Sequence, residues 1–394
     1  MHISELLPPL LNHVEKPGRY VGGEVNSVLK PADKVTASML LAFPDIYDVG
    51  MSYHGFKILY ELINDVPQWA AERTFAPWPD MEQRMRQSGV PLYALESKRP
   101  ATQFDIIGFT LQHEVNYTNV LNMIDLAGLP VDSAERTAPF PLIIAGGEGA
   151  LCPEPLAPFI DLFVLGDGEQ IAMDLLSAIE QFKCSGIVAQ PPSAVSLKHE
   201  LLQVLSRIPG IYVPAFPSNT PVARRTYDLG STKGTVKPVI PSLRVIHDRL
   251  AIEIKRGCAR GCRFCAAGMI NRPVRERTPD QILQIARDGL ANTGFDEISL
   301  LSLSSADYTC ILPTVRMLQR EFEAERVSIS LPSLRINAFD VSLAEEIAQV
   351  RKTGFTFAPE AGTNRLRAVI NKPLDEEAFL SIIDLVCRRG WKTL

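Results

Sequence analysis

The chain has 394 residues, a net charge of −5 and 46% hydrophobic residues, which is enough apolar material for about two domains with buried cores. The negative charge argues against a surface built for non-specific nucleic-acid binding, although it leaves a local basic groove open. Because no apolar run is long enough to span a bilayer and the first residues do not resemble a secretion signal, we expect a cytoplasmic protein with reduced thiols.

The first 190 residues carry alternating strand and helix patterns. After a helix and an ordered lead-in over residues 1–35, short apolar runs predict strands at 37–43, 104–110, 141–145 and 162–165. Apolar residues at helical spacing predict helices at 55–64 and 116–127, and a third helix is predicted after residues 166–169 and through residue 179. The Pro-rich stretch around Trp69 and Trp78 is interpreted as a packed loop. Strands that alternate with helices indicate a parallel sheet covered on both faces, in an N-terminal domain over residues 1–190.

Glycine-rich turns follow the third and fourth predicted strands. The first contains Gly146 and Gly147, and the second spans residues 166–169. In a parallel α/β sheet, ligands bind beyond the carboxyl ends of the strands, which is where these turns lie.

Residues 191–247 are the part of the chain richest in proline. Proline disfavours a regular helix or a central strand, so we interpret this stretch as a linker with one edge strand at 211–214.

The remaining residues, 248–394, again alternate strand and helix patterns. Strands are predicted at 250–254, 295–301, 327–331 and 354–358. Helices are predicted from residues 278–280 onward, with apolar residues up to 290, and at 311–322, 342–350 and 375–387. Thr278, Pro279 and Asp280 form a strong helix-start signal. Four strand–helix units predict an incomplete (β/α) barrel, with its chemistry at the carboxyl ends of the strands.

Three cysteines follow the first strand of this domain at Cys258, Cys262 and Cys265. An odd number of thiols in one loop is a poor disulfide framework, and a structural zinc site requires four ligands. Three thiolates suit a cubane iron–sulfur cluster with one open iron. A zinc site with a remote fourth ligand and a chance cluster of cysteines remain as alternatives.

The Cys-x-x-x-Cys-x-x-Cys motif, with Phe264 before the third cysteine, resembles the cluster loop of the radical S-adenosylmethionine (SAM) enzymes. The resemblance implies a 4Fe-4S cluster on the three cysteines, SAM as the second cofactor, Phe264 at the adenine, and an electron donor such as flavodoxin or ferredoxin. It also implies SAM contacts from later strand ends: Ser304, Ser305, Glu360 and Arg365, with Arg335 and Asn337 near the same cavity.

The glycine-rich pattern of the first domain resembles the Rossmann-like, cobalamin-binding-like domain that precedes many radical SAM cores. The resemblance makes cobalamin a candidate cofactor, with Thr110, Gly146 and Gly147 as candidate contacts. The chain departs from domains that ligate cobalt through histidine, because the nearest match to Asp-x-His-x-x-Gly, at 48–55, has the wrong spacing. The alternative is a domain that contacts substrate or a partner.

These resemblances imply a radical SAM enzyme, with methyl transfer if cobalamin binds. A methylthiotransferase is ranked low because only Cys152 and Cys184 precede the motif, whereas such enzymes carry three further clustered cysteines. A non-catalytic scaffold that holds a cluster or zinc is the alternative from another class. Because relatives have six strand–helix units and this chain ends after four, we expect a fragment or a barrel completed by a partner chain. The substrate is not indicated.

Overall fold

The computed structural model describes residues 2–185, 194–216, 220–332 and 358–388. The chain divides into two compact units, the first made of Met1–Tyr227 with Pro238–His247, and the second of Asp228–Lys237 with Asp248–Leu394. Most of the stretch interpreted as a linker therefore belongs to the first unit.

The first unit is an α/β structure. Its described helices are α1 (Ile3–Leu11), α2 (Tyr47–Gly50), α3 (His54–Asn64), α4 (Pro79–Ser88), α5 (Tyr117–Leu126), α6 (Gly168–Cys184) and α7 (Ala194–Leu205). Its described strands are β1 (Ala37–Phe43), β2 (Trp69–Phe75), β3 (Ile106–Thr110), β4 (Leu142–Gly146), β5 (Leu162–Val164) and β6 (Ile211–Tyr212).

These six strands form one sheet in the order β2-β1-β3-β4-β5-β6. The first five run parallel, and β6 joins the edge antiparallel. Alternate residues of β1 enter different cores, because successive side chains of a strand point to opposite faces. Met39 and Leu41 pack with α3 and α6, while Leu40 and Ala42 pack with α5. The sheet is covered on both faces, as predicted.

The interpretation of the Trp69 region as a loop was wrong, because β2 and α4 occupy it. The strand was hard to detect because Glu72 and Arg73 interrupt its apolar pattern, yet both are buried. Arg73 pairs with Glu24 at 2.8 Å and with Glu96 at 2.6 Å, and all three side chains are 1% exposed. Paired charges can be buried where single ones cannot.

The outer edge of β2 is occupied by groups from outside the sheet. Asn64 bonds both backbone groups of Ala71, donating to its carbonyl at 2.9 Å and accepting from its N–H at 3.1 Å. The Arg73 N–H donates to the Glu96 carboxylate, and its carbonyl accepts from the Leu95 N–H. The backbone groups of these two positions are therefore satisfied without a neighbouring strand.

The Pro-rich stretch is more regular than expected. The helix α7 lies between its prolines, and its residues Leu197, Leu201 and Leu205 are buried in the same core as α6. The predicted edge strand is confirmed as β6, which pairs Ile211 with Val164 of β5.

In its described residues, the second unit contains the first two predicted strand–helix repeats, the third strand and the last helix. Its described strands are β7 (Leu250–Glu253), β8 (Lys255–Arg256), β9 (Arg275–Glu276), β10 (Glu297–Leu301) and β11 (Ser328–Ser330). Its described helices are α8 (Ala267–Ile270), α9 (Pro279–Thr293), α10 (Ile311–Glu321), α11 (Asn364–Val369) and α12 (Glu376–Arg388).

A parallel sheet in the order β11-β10-β7 forms the centre of this unit. Ile252 and Leu300 of the sheet pack against Ile285 of α9 and Leu318 of α10. The start of α9 is a capping box, in which Thr278 and Gln281 exchange side-chain and backbone hydrogen bonds. The predicted helix at 342–350 and most of the predicted strand at 354–358 lie outside the described residues.

In the described part of the chain, no helix is both long enough and apolar enough to cross a membrane.

Candidate functional site

The three motif cysteines lie in residues 257–274, here called the cluster loop, between β8 and β9. These two strands pair antiparallel and close the base of the loop. Gly257, at the base, has a φ of +87°, and a Cβ there would lie 2.4 Å from the Asn271 carbonyl oxygen. Only glycine allows this close approach, so Gly257 determines how the loop leaves the strand.

Cys258, Cys262 and Cys265 are thiols rather than disulfides, and all three are of intermediate burial. Within the described residues, no three His, Cys, Asp or Glu side chains are arranged to hold a single metal ion. Thiolates of a cubane bind different irons and lie farther apart than those around one zinc, where a Zn–S distance of about 2.3 Å brings the sulfurs to about 3.8 Å. The three thiolates fit an iron–sulfur cluster by number and type.

A charged group joins the cluster loop to the loop after β10. The Arg260 Nε donates to Asp307 Oδ2 at 2.8 Å, and the Ser304 hydroxyl donates to the same oxygen at 2.7 Å. Burial raises the pKa of Asp307, but the hydrogen bonds from Arg260 and Ser304 outweigh it and hold that pKa below its ordinary value. The pKa of Arg260 is raised, chiefly by its hydrogen bond to Asp307.

The side chains of Ser304 and Ser305 are both buried. The Ser305 hydroxyl is within 3.2 Å of the carbonyl oxygens of Leu300 and Pro332, to which it donates, and the Ser304 hydroxyl bonds Asp307. Both hydroxyls already form hydrogen bonds inside the second unit. A ligand at this turn would therefore bind its backbone groups rather than these hydroxyls.

Two of the SAM contacts implied by the sequence are brought together by a residue that the sequence analysis missed. The Lys372 Nζ donates to Glu360 Oε1 at 2.7 Å and lies 6.0 Å from the centre of the Phe264 ring. Phe264 is 54% exposed, so its ring is available to a ligand. Lys372 gives no sequence signal, because its contact depends on how the chain folds back after α11.

The other implied SAM contacts are less defined. Arg365 is exposed on α11, and no hydrogen bond or ion pair of the described residues holds it. Arg335 and Asn337 lie outside the described residues.

In the first unit, Thr110 and Gly146 are register partners at the carboxyl ends of β3 and β4. Gly147 has a φ of +108°, and a Cβ there would lie 2.3 Å from the Leu111 carbonyl oxygen. A Cβ on Gly146 would lie 3.3 Å from the Val164 Cβ. These glycines thus allow close packing inside the protein, a requirement that is independent of any ligand.

The strand order places the reversal of the sheet between β1 and β3, where doubly wound sheets bind ligands. The segments that follow β1 and β3 meet there, because Asn116 and Asn119 both donate to the Pro44 carbonyl oxygen. Among the described residues, Asn116 Oδ1 and Gln112 Nε2 are buried without a hydrogen-bond partner. Buried polar atoms of this kind usually bond a water or a ligand.

Two family models match the chain. The model described as "Radical SAM proteins, N-terminal" matches residues 55–214, and the model described as "Radical SAM superfamily" matches residues 252–394.

Curated relatives cover different parts of the chain. An uncharacterized protein of Methanocaldococcus jannaschii is 26% identical over 309 residues, which are 78% of this chain and 61% of that protein. A tRNA-2-methylthio-N(6)-dimethylallyladenosine synthase of Opitutus terrae is 29% identical over 146 residues, which are 34% of this chain and 30% of that protein. The chain thus spans less than two thirds of each of these relatives.

Solved structures show a similar fold. The radical SAM methyltransferase TsrM of Kitasatospora setae, with tryptophan and a SAM analogue bound, gives a TM-score of 0.59 at 14% identity over 90% of this chain and 66% of TsrM. The cobalamin-dependent SAM radical enzyme OxsB, with aqua-cobalamin and SAM bound, gives 0.58 at 14% identity over 89% of this chain and 47% of OxsB. The two family matches, together with the three-cysteine loop, show that the chain belongs to the radical S-adenosylmethionine superfamily.

Proposed function

We propose that this chain binds a 4Fe-4S cluster through Cys258, Cys262 and Cys265 and uses it to cleave SAM. The observation that carries the proposal is the set of three half-buried cysteine thiols, none of them in a disulfide, on one loop whose base is closed by β8 and β9. When bound, the cluster supplies the electron that converts SAM into methionine and a 5′-deoxyadenosyl radical.

The residues around the loop would bind and orient SAM. Phe264 offers an exposed ring to the adenine, and Glu360 offers a carboxylate to the hydroxyl or amino donors of the ligand. Backbone carbonyls of the turn at Ser304 and Ser305 would accept from the amino group. Arg365, exposed and without a described partner, would pair with the SAM carboxylate.

The reaction requires a reductant, and an electron carrier of the flavodoxin or ferredoxin type is the partner that we propose. Chemical reduction by dithionite would replace it in the test below.

Anaerobic reconstitution with iron and sulfide tests the assignment. We expect about four irons per chain and dithionite-dependent 5′-deoxyadenosine. The Cys262→Ala variant would lose the 5′-deoxyadenosine, whereas Cys387→Ala, which removes an exposed cysteine outside the loop, would retain it. Cleavage by Cys262→Ala at the wild-type rate would refute the ligand assignment.

The finer proposal is that the first unit binds cobalamin at the carboxyl edge of its sheet, for methyl transfer. It is supported by the reversal between β1 and β3, by the unpartnered buried atoms of Gln112 and Asn116, and by the fold shared with cobalamin-dependent enzymes. Thr110, Gly146 and Gly147 lie at this edge. Co-elution of hydroxocobalamin with the protein, followed by its absorbance, tests the binding, and free elution would favour a domain for substrate or partner contact.

Two other functions would give different results. A scaffold would hold iron or zinc and form no 5′-deoxyadenosine. A methylthiotransferase would add a methylthio group to RNA or protein, and the Opitutus terrae relative is named as a tRNA-2-methylthio-N(6)-dimethylallyladenosine synthase. This function ranks low because only two cysteines precede residue 258.

A further inference from the structure

The segment that ends α11 and follows it, residues 369–372, contacts the cluster loop on both sides of Cys262. On the N-terminal side, the Asn371 side-chain amide donates to the Gly261 carbonyl oxygen at 2.9 Å and to the Arg260 carbonyl oxygen at 3.4 Å. One amide group thus bonds two successive peptide carbonyls directly before the second motif cysteine.

On the C-terminal side of Cys262, the contacts run through the backbone of the same segment. The Arg263 N–H donates to the Ile370 carbonyl oxygen at 3.0 Å, and the Arg263 guanidinium donates to the Val369 carbonyl oxygen. The amine of Lys372, the last residue of the segment, lies 6.0 Å from the centre of the Phe264 ring. Residues 260–263 are therefore hydrogen-bonded on both sides of Cys262 to a segment more than 100 positions later in the chain.

The backbone of this segment is held in an uncommon conformation. Asn371 has a φ of +54°, in the left-handed region that asparagine tolerates better than most residues but that still costs energy. Such a conformation persists where surrounding contacts fix it, and it frequently accompanies functional sites. Here it directs the Asn371 amide to the cluster loop.

We propose that residues 369–372 form a clasp that fixes the position of Cys262 for cluster binding, with Asn371 as its positioning residue. The role of the clasp in cluster binding rests on the proposed function. Its contacts do not, because they are made by the protein alone. The bonds act by holding a short loop that would otherwise lose conformational entropy when its three thiolates bind different irons. Removal of the Asn371 amide then loosens the loop in the iron-free chain and speeds the loss of iron from the loaded chain.

Two substitutions separate the amide from the backbone conformation. Asn371→Gly removes the amide and retains easy access to a positive φ, while Asn371→Asp retains the shape and replaces the donor with an acceptor. Asn26 provides a matched control in the other unit, because it also has a positive φ, of +67°, and donates to a backbone carbonyl, that of Pro238 at 3.1 Å. The controls are Asn26→Gly and Asn26→Asp.

Hydrogen–deuterium exchange of the iron-free protein, read on peptides that cover residues 258–270, is the first measurement. We expect both Asn371 variants to exchange about fivefold faster there, as the loss of about one hydrogen bond implies, and both Asn26 variants to match the wild type. Unchanged exchange in both Asn371 variants would refute the clasp. If Asn371→Gly fails to fold, the Asp variant decides.

The second measurement is the rate at which reconstituted protein releases iron to a chelator. We expect release to be about fivefold faster in the Asn371 variants at an unchanged thermal midpoint, which a purely structural role would lower instead. Faster exchange with wild-type iron release would refute the role in cluster binding. If the wild type takes up no iron, the proposed function and the clasp's role in cluster binding both fail, while exchange still decides whether the clasp holds the loop.

Discussion

Lys372 connects two residues, Glu360 and Phe264, that the resemblance to radical SAM enzymes implies as SAM contacts. Its amine donates a hydrogen bond to Glu360 and lies near the face of the Phe264 ring. Only 18% of its side chain is exposed. Glu360 itself has a φ of +64°, so its carboxylate is directed by an uncommon backbone conformation. The lysine therefore holds the carboxylate and the ring in one arrangement before a ligand arrives.

The substitution Lys372→Met should weaken SAM binding without changing the iron content. Loss of about one charge-assisted hydrogen bond would leave Glu360 unpositioned and raise the Kd for SAM about fivefold to tenfold. Equilibrium dialysis of the reconstituted protein measures this. Lys34→Met, at an exposed lysine of the first unit, is the control, and equal affinities for both variants would contradict the assignment.

Asp48 makes the first unit sensitive to acid. Burial raises the pKa of Asp48, but hydrogen bonds from Arg19 at 2.7 Å and Lys16 at 3.0 Å outweigh it, so the folded pKa lies below the ordinary 3.8. A lowered folded pKa contributes stability that is present above the unfolded pKa and is lost as the pH falls through the folded one.

We therefore expect the free energy of unfolding to fall more for the wild type than for Asp48→Asn between pH 5 and pH 2. The difference between the two proteins should shrink as the pH falls. Urea unfolding at several pH values measures it. A constant difference would show that Asp48 does not titrate differently in the folded and unfolded chains.

At the scale of elements, local signals decided what the sequence could predict. The helix α9 was found from Thr278, Pro279 and Asp280, because capping is a contact between near neighbours. The strand β2 was missed because Arg73 becomes a strand residue only when Glu24 and Glu96 reach it from other segments. Charge burial of this kind has no local pattern.

The cluster loop depends on its base, and Gly257→Ala tests this. The new Cβ would lie 2.4 Å from the Asn271 carbonyl oxygen at a φ of +87°, so the pairing of β8 with β9 must shift. We expect iron content after reconstitution to fall at least twofold, together with a loss of about 1–3 kcal/mol in stability.

Gly268→Ala is the matched control, because a Cβ at Gly268 meets nothing within 4 Å and the residue lies in the same loop. It should load iron as the wild type does. Equal loading by both alanine variants would show that the base of the loop tolerates the shift.

At the scale of the whole molecule, Arg73 joins three separate segments of the first unit. The lead-in supplies Glu24, the loop before β3 supplies Glu96, and β2 supplies the arginine. Burial raises the pKa of Glu24, but Arg73 outweighs it and holds that pKa below its ordinary value.

The substitution Arg73→Met would leave two buried carboxylates without their partner. We expect a loss of about 3–5 kcal/mol in the free energy of unfolding, measured with urea. Adding Glu96→Gln should recover part of it. Arg207→Met, at an exposed arginine, should change stability by less than about 1 kcal/mol, and a similarly small effect at Arg73 would contradict the network.

The sequence predicted the two α/β regions and the cysteine loop, because periodicity and a three-cysteine motif are local. It did not predict α7, because this helix lies in a Pro-rich stretch and prolines normally exclude a regular helix. The sequence could not predict the contacts of Asn371 and Lys372 with the cluster loop, because these contacts join chain segments that are far apart in sequence.

The occupied edge of β2 has a consequence for the behaviour of the protein at high concentration. A bare outermost strand can recruit a strand from another molecule and begin aggregation. Here the Asn64 and Glu96 side chains and the Leu95 N–H already bond the groups of Ala71 and Arg73 that an incoming strand would need. These contacts from neighbouring segments thus prevent another molecule from adding a strand at Ala71 and Arg73. The apolar pattern of the sequence gives no sign of this protection.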